Sequence, residues 1–437
     1  MVTIKEKVFS FLNKYGLDYH GIDMEKYCQI FIDEMIQGLK GKNGSLPMLA
    51  TYIEVEGEIP LMEKVIVLDA GGTNFRVATV YFDRNRVPVI ENFKKYPMPG
   101  IDKEIDKESF FTTMAEYMKD VAGESQKIGF CFSYPTQMYP DKDGRVIQFS
   151  KEVKAKSAEG EMIGENLKTA LQALGLNSDK KVVVLNDTVA TLLAGKADSL
   201  SKTYDGYIGF ILGTGTNCCY IEQNANILKI EGLEPERSQV INIESGSFGK
   251  APLGPIDLEF DKSTVDPGQF TYEKMVSGRY LGAISLRILK QAAKDGLFSG
   301  PVIDEINKLN TVTTIDVNKF LSLPGESSNI LGSIAGTGNR DDRATFYYLL
   351  DAVVERSAKL AAIGLSAVAL KSGRGKTPDA PICITAEGTT FYQMKSLKSK
   401  TEYYLKEYLA EKKDCYIEFV SVENATLIGA AIAGLMN

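Results

Sequence analysis

Short apolar runs that end in glycine-rich turns alternate with helically spaced apolar stripes along most of this chain. Apolar residues recur at helical spacing over residues 25–39, which predicts an amphipathic helix. Further helices are predicted over residues 109–122, 162–174, 189–197, 272–294, 345–370 and 425–435. β-Rich runs predict strands over residues 65–69, 75–82, 87–96, 127–133, 181–185, 206–230, 381–385 and 417–422. This mixture of strands and helices indicates an α/β protein.

The run over residues 65–69 leads into the first turn whose residues could bind a ligand. Asp69 ends the run, and Gly71 and Gly72 break it before the next strand. The pattern predicts a hairpin whose glycines can adopt positive φ and let a ligand approach the backbone. Exposed amides, Thr73 and Arg76 suit a polyphosphate, and Asp69 is placed to hold a metal-bound water. The alternative is an ordinary hairpin with a Gly-Gly turn.

A second copy of this pattern occurs far along the chain. An apolar strand from Gly206 again runs into a glycine, threonine and asparagine turn over residues 213–217, and another strand follows. Two such strand–turn–strand units predict two similar halves that face each other across a nucleotide. The pair is more specific than either unit, since single glycine-rich turns are common.

Composition narrows the class of protein. The 437 residues favour two domains over one, and 44% are hydrophobic, as in globular proteins. The net charge of −7, with no long Lys/Arg run, argues against nucleic acid or an acidic membrane as partner. We expect a cytoplasmic protein, because no apolar run approaches membrane-spanning length and the N-terminus lacks a signal-peptide core.

Cysteine and histidine usage limits the possible chemistry. None of the six cysteines forms a CxxC pair, which predicts reduced core thiols rather than a zinc site or a disulfide framework. His20 is the single histidine and lies in a polar N-terminal segment. With only one histidine, neither a Ser-His-Asp catalytic triad nor a metal site built from histidines is expected. Any general base is expected to be a carboxylate.

Asp187 is the candidate base. It follows the β-rich run 182–185 and precedes a predicted helix, so it lies where α/β sheets gather their ligands. Beside the γ-phosphate of a nucleotide it could accept a hydroxyl proton. An N-cap role is the alternative for Asp187. Glu244, in a glycine-punctuated loop, and Glu273, at a helix start, are solvated carboxylates when read alone. Together with nearby amides and hydroxyls they suit a polyol pocket.

Five spaced segments resemble the eukaryotic-type hexokinases of the actin-like sugar kinase superfamily. They match its first phosphate motif, sugar-binding strand, catalytic-base segment, second phosphate motif and long-helix segment, and they cover residues 68–77, 128–135, 185–189, 213–217 and 266–282. The resemblance implies an α/β protein with the two-domain actin-like ATPase (ribonuclease H-like) fold and an interdomain active-site cleft. It implies a small domain of residues 62–187 and 425–437, with residues 1–61 and 188–424 forming the large domain.

The resemblance also implies roles for individual residues. Asp187 would deprotonate the 6-hydroxyl group of the sugar, and Asp69 would act on Mg²⁺ through water. The sugar hydroxyls would contact Ser133, Ser150, Lys151, Asn186, Asp187, Asn217, Glu244 and Glu273. The nucleotide would contact Asp69, Gly71, Gly72, Thr73, Asn74, Arg76, Gly213, Thr214, Gly215, Gly388 and Thr389. The implied reaction is ATP-dependent phosphorylation of glucose and related hexoses (mannose, fructose), the first step of glycolysis, by a monomer or homodimer.

Three segments depart from the family pattern. The family's Trp-Thr-Lys-Gly-Phe sugar loop reads Phe-Ser-Lys-Glu-Val over residues 149–153, and the chain has no tryptophan. Its adenosine motif has Glu387 in place of aspartate, and its last helix begins at Ala425 without the usual glycine and lysine residues. Two alternatives therefore stay open: a kinase for another sugar, such as an N-acetylhexosamine, and a sugar sensor with weak catalysis.

Overall fold

The computed structural model describes residues 3–149, 153–198 and 202–437. The strands are β1 (Leu49–Ala50), β2 (Val65–Gly71), β3 (Asn74–Phe82), β4 (Pro88–Pro97), β5 (Lys127–Phe132), β6 (Thr136–Met138), β7 (Gly144–Val146), β8 (Lys181–Leu185), β9 (Gly206–Leu212), β10 (Thr216–Gln223), β11 (Ser238–Asn242), β12 (Ile382–Glu387) and β13 (Ile417–Val420). The α-helices are α1 (Ile4–Lys14), α2 (Met24–Leu39), α3 (Lys107–Tyr117), α4 (Ile163–Ala173), α5 (Asp187–Asp198), α6 (Pro255–Lys262), α7 (Thr271–Val276), α8 (Leu281–Lys294), α9 (Gly300–Lys308), α10 (Thr314–Ser322), α11 (Ile330–Gly336), α12 (Arg340–Ser372), α13 (Thr389–Gln393), α14 (Leu397–Leu405), α15 (Glu411–Lys413) and α16 (Ala425–Met436).

Two sheets share one topology. The five-stranded sheet has the order β4-β3-β2-β5-β8, and the six-stranded sheet has the order β1-β11-β10-β9-β12-β13. In each, an antiparallel hairpin is extended on one side by a third antiparallel strand and on the other by two parallel strands. The six-stranded sheet has one more strand, β1, which pairs antiparallel with β11 at its edge. The predicted pair of similar halves is thereby confirmed. The parallel strands bring their carboxyl ends to one edge of each sheet, where α/β proteins bind ligands.

Helix α16 joins the two halves. It packs against α5 and against β2 and β5 of the five-stranded sheet. A Cβ atom added at Gly429 would lie 1.8 Å from the carbonyl oxygen of Ala190, and one added at Gly129 would lie 1.8 Å from that of Ala430. Backbones approach this closely only where Cβ atoms are absent. The glycine residues at these contacts therefore allow α16 to pack closely against α5 and the five-stranded sheet.

Most predicted elements lie within a few residues of the observed ones, but one helix prediction is wrong. Residues 272–294 form two helices, α7 and α8, rather than one. Between them the amide of Gly278 donates to the carbonyl oxygen of Gly213 (2.8 Å), and the amide of Arg279 donates to that of Thr214 (3.1 Å). The intervening backbone thus binds the second glycine turn, which interrupts the helical hydrogen bonds.

Other regions also differ from expectation. Strand structure within residues 206–230 ends at Gln223, and a short 3₁₀ turn follows at Asn224–Asn226. Eight of the observed helices were not predicted: α1, α6, α9, α10, α11, α13, α14 and α15. All six cysteines are free and buried, as expected. Among the described helices, none combines the length and the apolarity that a membrane crossing requires.

Candidate active site

One cleft collects the predicted sugar ligands that the structure describes. It has a volume of about 410 Å³ and lies where the carboxyl ends of β5, β8 and β9 approach each other. Its lining includes Ser133, Asn186, Asp187, Asn217, Glu244 and Glu273. Ser150 and Lys151 lie outside the described residues. Six residues separated by up to 140 positions in sequence thus share one pocket of the size that binds small molecules.

Asp187 is the first residue of α5, directly after Asn186 at the end of β8. The amide of Thr188 donates to Oδ1 of Asp187 (2.8 Å) and to Oδ1 of Asn186 (2.9 Å), so both side chains help to cap the helix. Burial, together with the charges of Glu244 and Asp69, raises the pKa of Asp187 to about 6, against the hydrogen bonds from Thr188. At neutral pH Asp187 remains largely ionised and can accept a proton.

A chain of side-chain amides holds Glu244. Nδ2 of Asn217 donates to Oδ1 of Asn242 (2.7 Å), and Nδ2 of Asn242 donates to Oε1 of Glu244 (2.7 Å). Oδ1 of Asn217 accepts the amide of Ser245 at 3.1 Å. Glu244 itself has φ of 56°, a conformation that side chains other than glycine and asparagine rarely adopt and that concentrates at functional sites. Asn242 was missed from the sequence, where nothing links it to the two predicted residues.

Glu273 is positioned by the second glycine turn. Its Oε2 accepts the amide of Thr216 at 3.0 Å. A Cβ atom added at Gly215 would lie 2.7 Å from the same oxygen. Burial raises the pKa of Glu273 and of Glu244, the latter against its hydrogen bond from Asn242. The turn therefore leaves room for this carboxylate and orients it towards the cleft.

The first glycine turn connects β2 to β3 beside the cleft. Gly71 pairs with Asn74, and Gly72 has φ of 57°, whereas Gly71 does not take a positive φ. A Cβ atom added at Gly71 would lie 3.1 Å from Oγ of Ser133. Gly72 is thus needed for the turn, and Gly71 allows the close approach of Ser133, which follows β5 and lines the cleft. Gly72 and Thr73 are exposed at the edge of the cleft, so their backbone is accessible to a ligand.

Asp69 is buried beneath this turn. Its Oδ2 accepts hydrogen bonds from Nη1 of Arg76 (3.2 Å) and from Oγ1 of Thr426 (3.0 Å), the latter on α16. Burial raises the pKa of Asp69, which the charge of Arg76 and the hydrogen bond from Thr426 oppose. Thr426 was missed from the sequence as a site residue. The only signal there was the departure of the segment that begins at Ala425 from the family pattern.

A second cavity lies against the other glycine turn. It has a volume of about 340 Å³, and Thr214, Thr389, Arg279 and Met394 are among its lining residues. Oγ1 of Thr390 donates to the carbonyl oxygen of Gly213 (2.8 Å), which fixes the turn beneath it. Gly388 has φ of 115°, and a Cβ atom there would lie 2.3 Å from the carbonyl oxygen of Leu212. Only glycine fits this junction between β9 and β12.

The side chains around Asp69 decide whether it could bind a metal ion, as predicted. Within the described residues, no three His, Cys, Asp or Glu side chains are grouped so that they could hold a metal ion. A single buried carboxylate beside a threonine hydroxyl suits Mg²⁺, which keeps most of its waters and takes substrate phosphates as further ligands. The residues present therefore fit a magnesium ion that arrives with its nucleotide.

Two family models described as hexokinase match this chain, one over residues 12–197 and the other over residues 207–436. Hexokinase-5 of Oryza sativa is 30% identical over 92% of this chain and 84% of its own length. Hexokinase-1 of Schizosaccharomyces pombe is 28% identical over 93% of this chain and 86% of its own. A hexokinase from Schistosoma mansoni, solved in complex with glucose, superposes with a TM-score of 0.78 at 24% identity over 99% of both chains, a likeness of fold.

Proposed function

The chain belongs to the hexokinase family, and from that premise we propose that it transfers the γ-phosphoryl group of ATP to the 6-hydroxyl group of glucose, with Asp187 as general base. Family membership makes it a sugar kinase that phosphorylates hexoses with ATP as co-substrate. The choice of glucose, the role of Asp187 and the use of Mg²⁺ are the parts that we propose.

The position of Asp187 is the observation that carries the proposal. Asp187 lines the cleft together with Glu244, and its pKa is raised mainly by burial and also by the charges of Glu244 and of Asp69, which lies beneath the first glycine turn. A base for phosphoryl transfer must reach the attacking hydroxyl group, and that hydroxyl group must lie next to the phosphoryl group. Asp187 therefore lies at the junction where the two substrates have to meet.

The mechanism follows from the contacts of each group. Oδ1 of Asp187 accepts the amide of Thr188, which leaves Oδ2 to take the proton of the 6-hydroxyl group as the new P–O bond forms. Glu244, held by Asn242, and Glu273, held by Thr216, accept hydrogen bonds from other sugar hydroxyls and fix the ring. A loose phosphoryl-transfer transition state requires positioning and charge stabilisation more than covalent chemistry.

The two glycine turns bind the phosphate groups of the nucleotide. Amides around Gly72 and Thr214, with Arg76, are placed to surround the nucleotide phosphates. Mg²⁺, when bound with ATP near Asp69, supplies positive charge to the phosphate oxygens. Sugar binding should draw the two sheets together and exclude water, which limits wasteful hydrolysis of ATP. We place this reaction in the cytoplasm, because six free, buried thiols suit a reducing compartment.

Release of ADP from Mg-ATP by the purified protein tests the proposal. The assay compares glucose, fructose, mannose, N-acetylglucosamine and no sugar. Glucose-dependent turnover far above the rate without sugar is the expected result. Turnover with another sugar alone would move the specificity to that sugar. A protein that binds glucose but turns over none of the sugars would be a sensor on a kinase fold.

A further inference from the structure

A buried thiol lies beneath the point where the two proposed substrate sites meet. Cys131, which is 0% exposed, belongs to β5. It pairs in register with Asp69 of β2 on one side and with Leu185 of β8 on the other. Residues that pair in register present their side chains to the same face of a sheet, so Cys131 lies beside the buried carboxylate of Asp69.

Ser133 occupies the next position on this face. Side chains two residues apart on a strand point to the same face, and the pairing of β2 with β5 continues to Ser133, whose amide donates to the carbonyl oxygen of Ala70 (2.9 Å). A Cβ atom added at Gly71 would lie 3.1 Å from Oγ of Ser133, which also lines the cleft. Cys131 therefore lies next to Asp69 and one row beneath a hydroxyl group of the cleft.

The contacts of the thiol join these two groups. Sγ of Cys131 lies 3.9 Å from Oγ of Ser133, within hydrogen-bond distance for a sulfur atom. Burial raises the pKa of Asp69, and a hydrogen bond from the thiol of Cys131 is among the contacts that lower it. Three side chains are thus linked in the order Ser133, Cys131 and Asp69.

The chemistry of the three groups fixes the direction of these hydrogen bonds. An ionised carboxylate only accepts, and the guanidinium group of Arg76, 3.2 Å from Asp69, favours the ionised form. The thiol proton of Cys131 therefore points to Asp69, and the sulfur atom is left to accept the proton of Ser133. With that proton turned inward, the oxygen atom of Ser133 presents its lone pairs to the cleft.

We infer that Cys131 is a positioning residue, which links Asp69 on the nucleotide side of the cleft to Ser133 on the sugar side. It orients the hydroxyl group of Ser133 to accept a hydrogen bond from the sugar, and it gives Asp69 a third donor besides Arg76 and Thr426. A group that is already oriented loses less freedom when its ligand binds. The inference rests on the proposed function, since bound sugar and nucleotide give the two ends of this link their roles.

A double-mutant cycle on the full chain tests the inference at the sugar end, with the Kd of glucose measured by calorimetry without nucleotide. Cys131→Ala should raise this Kd at least about threefold, the effect of one hydrogen bond of modest strength. Cys131→Ser keeps a donor and an acceptor and should restore most of the affinity. In the Ser133→Ala background, Cys131→Ala should change the Kd by less than about 1.5-fold, because the group that it positions is absent.

The Asp69 end has its own measurement, the Kd of Mg-ADP. Cys131→Ala should raise it at least about threefold, since Asp69 loses one donor, and Cys131→Ser should reverse the change. Cys415→Ala is the matched control. Cys415 is also 0% exposed, but its thiol donates to the backbone carbonyl oxygen of Arg374 (3.6 Å) and does not line the cleft. This variant should change neither Kd.

Equal effects of Cys131→Ala with and without the hydroxyl group of Ser133 would overturn the inference, because the thiol would then serve packing alone. An unchanged Kd of Mg-ADP would contradict the link to Asp69. A loss with serine as large as that with alanine would contradict the role of the hydrogen bonds. Turnover is measured separately, so a protein that binds glucose without phosphorylating it would refute the proposed kinase activity while the cycle still decides the role of Cys131.

Discussion

The hydroxyl group of Thr426 donates a 3.0 Å hydrogen bond to Oδ2 of Asp69, although 357 positions separate the two residues in sequence. The same carboxylate oxygen accepts Nη1 of Arg76 at 3.2 Å. The last helix of the chain thus contacts the first phosphate turn at its buried acid. Helix α16 also packs on α5, which begins at Asp187. The same helix therefore contacts both Asp69 and the helix that carries the proposed base.

Replacement of Thr426 by valine tests the importance of this contact. Removing a hydrogen bond to a buried carboxylate costs about 1.5–3 kcal/mol, and Asp69 would lose one donor while Arg76 remains. We expect kcat/KM for Mg-ATP to fall by about tenfold, while the Kd of glucose stays within about threefold. Thr426→Ser keeps the hydroxyl group and should retain most activity. A loss with serine as large as with valine would argue that packing, rather than the hydrogen bond, is what matters.

Asp187→Asn removes the proposed base without changing its shape. We expect kcat to fall by about 10²–10⁴-fold, because a positioned general base contributes that much. The Kd of glucose should change by no more than several-fold, as Asn217, Glu244 and Glu273 remain. Steady-state kinetics and calorimetry measure the two quantities. Near-normal turnover in this variant would show that another group accepts the proton.

The same pKa predicts how activity depends on pH. Asp187 must be ionised to act as a base, and burial raises its pKa to about 6. We therefore expect kcat/KM for the sugar to fall as pH decreases through about 6, the value for that group. Circular dichroism over the same range checks that the protein stays folded. An activity that is constant down to pH 5 would contradict this assignment.

Stability should respond in the opposite sense. The pKa of Asp187 is raised from its ordinary value of 3.8 to about 6, so the folded state binds this proton more tightly than the unfolded state. The contribution of this proton to stability is fully present below pH 3.8 and is lost as pH rises through 6. Asp187→Asn should therefore raise the free energy of unfolding by about 3 kcal/mol at pH 8. Urea unfolding should show that this gain shrinks towards pH 5, and a gain that is independent of pH would contradict it.

Gly215→Ala tests the space left for Glu273. The new Cβ atom would lie 2.7 Å from Oε2 of Glu273, which Thr216 holds, so the carboxylate must move. We expect the Kd of glucose, measured without nucleotide, to rise by about tenfold. Gly213→Ala is the comparison, because its Cβ atom would meet nothing closer than Cα of Gly388 at 3.5 Å. Equal effects of the two substitutions would point to the turn as a whole rather than to Glu273.

The sequence determined the two hairpins and the position of Asp187. An apolar run, a glycine-rich turn and a second β-rich run are local signals, because strand pairing across a short turn involves only neighbours in the chain. The capping box at Thr313 and Asp316, which begins α10, was a local signal too, and it was missed. These features need no knowledge of the rest of the molecule.

The tertiary structure alone decided which distant groups share the cleft. The break between α7 and α8 exists because the backbone at Gly278 binds that at Gly213, and Asn242 matters because it links Asn217 to Glu244. Thr426 reaches Asp69 because small residues let α16 approach the sheet. None of these contacts leaves a periodic trace in the sequence, since each depends on how parallel strands and one closely packed helix bring remote segments to a common edge.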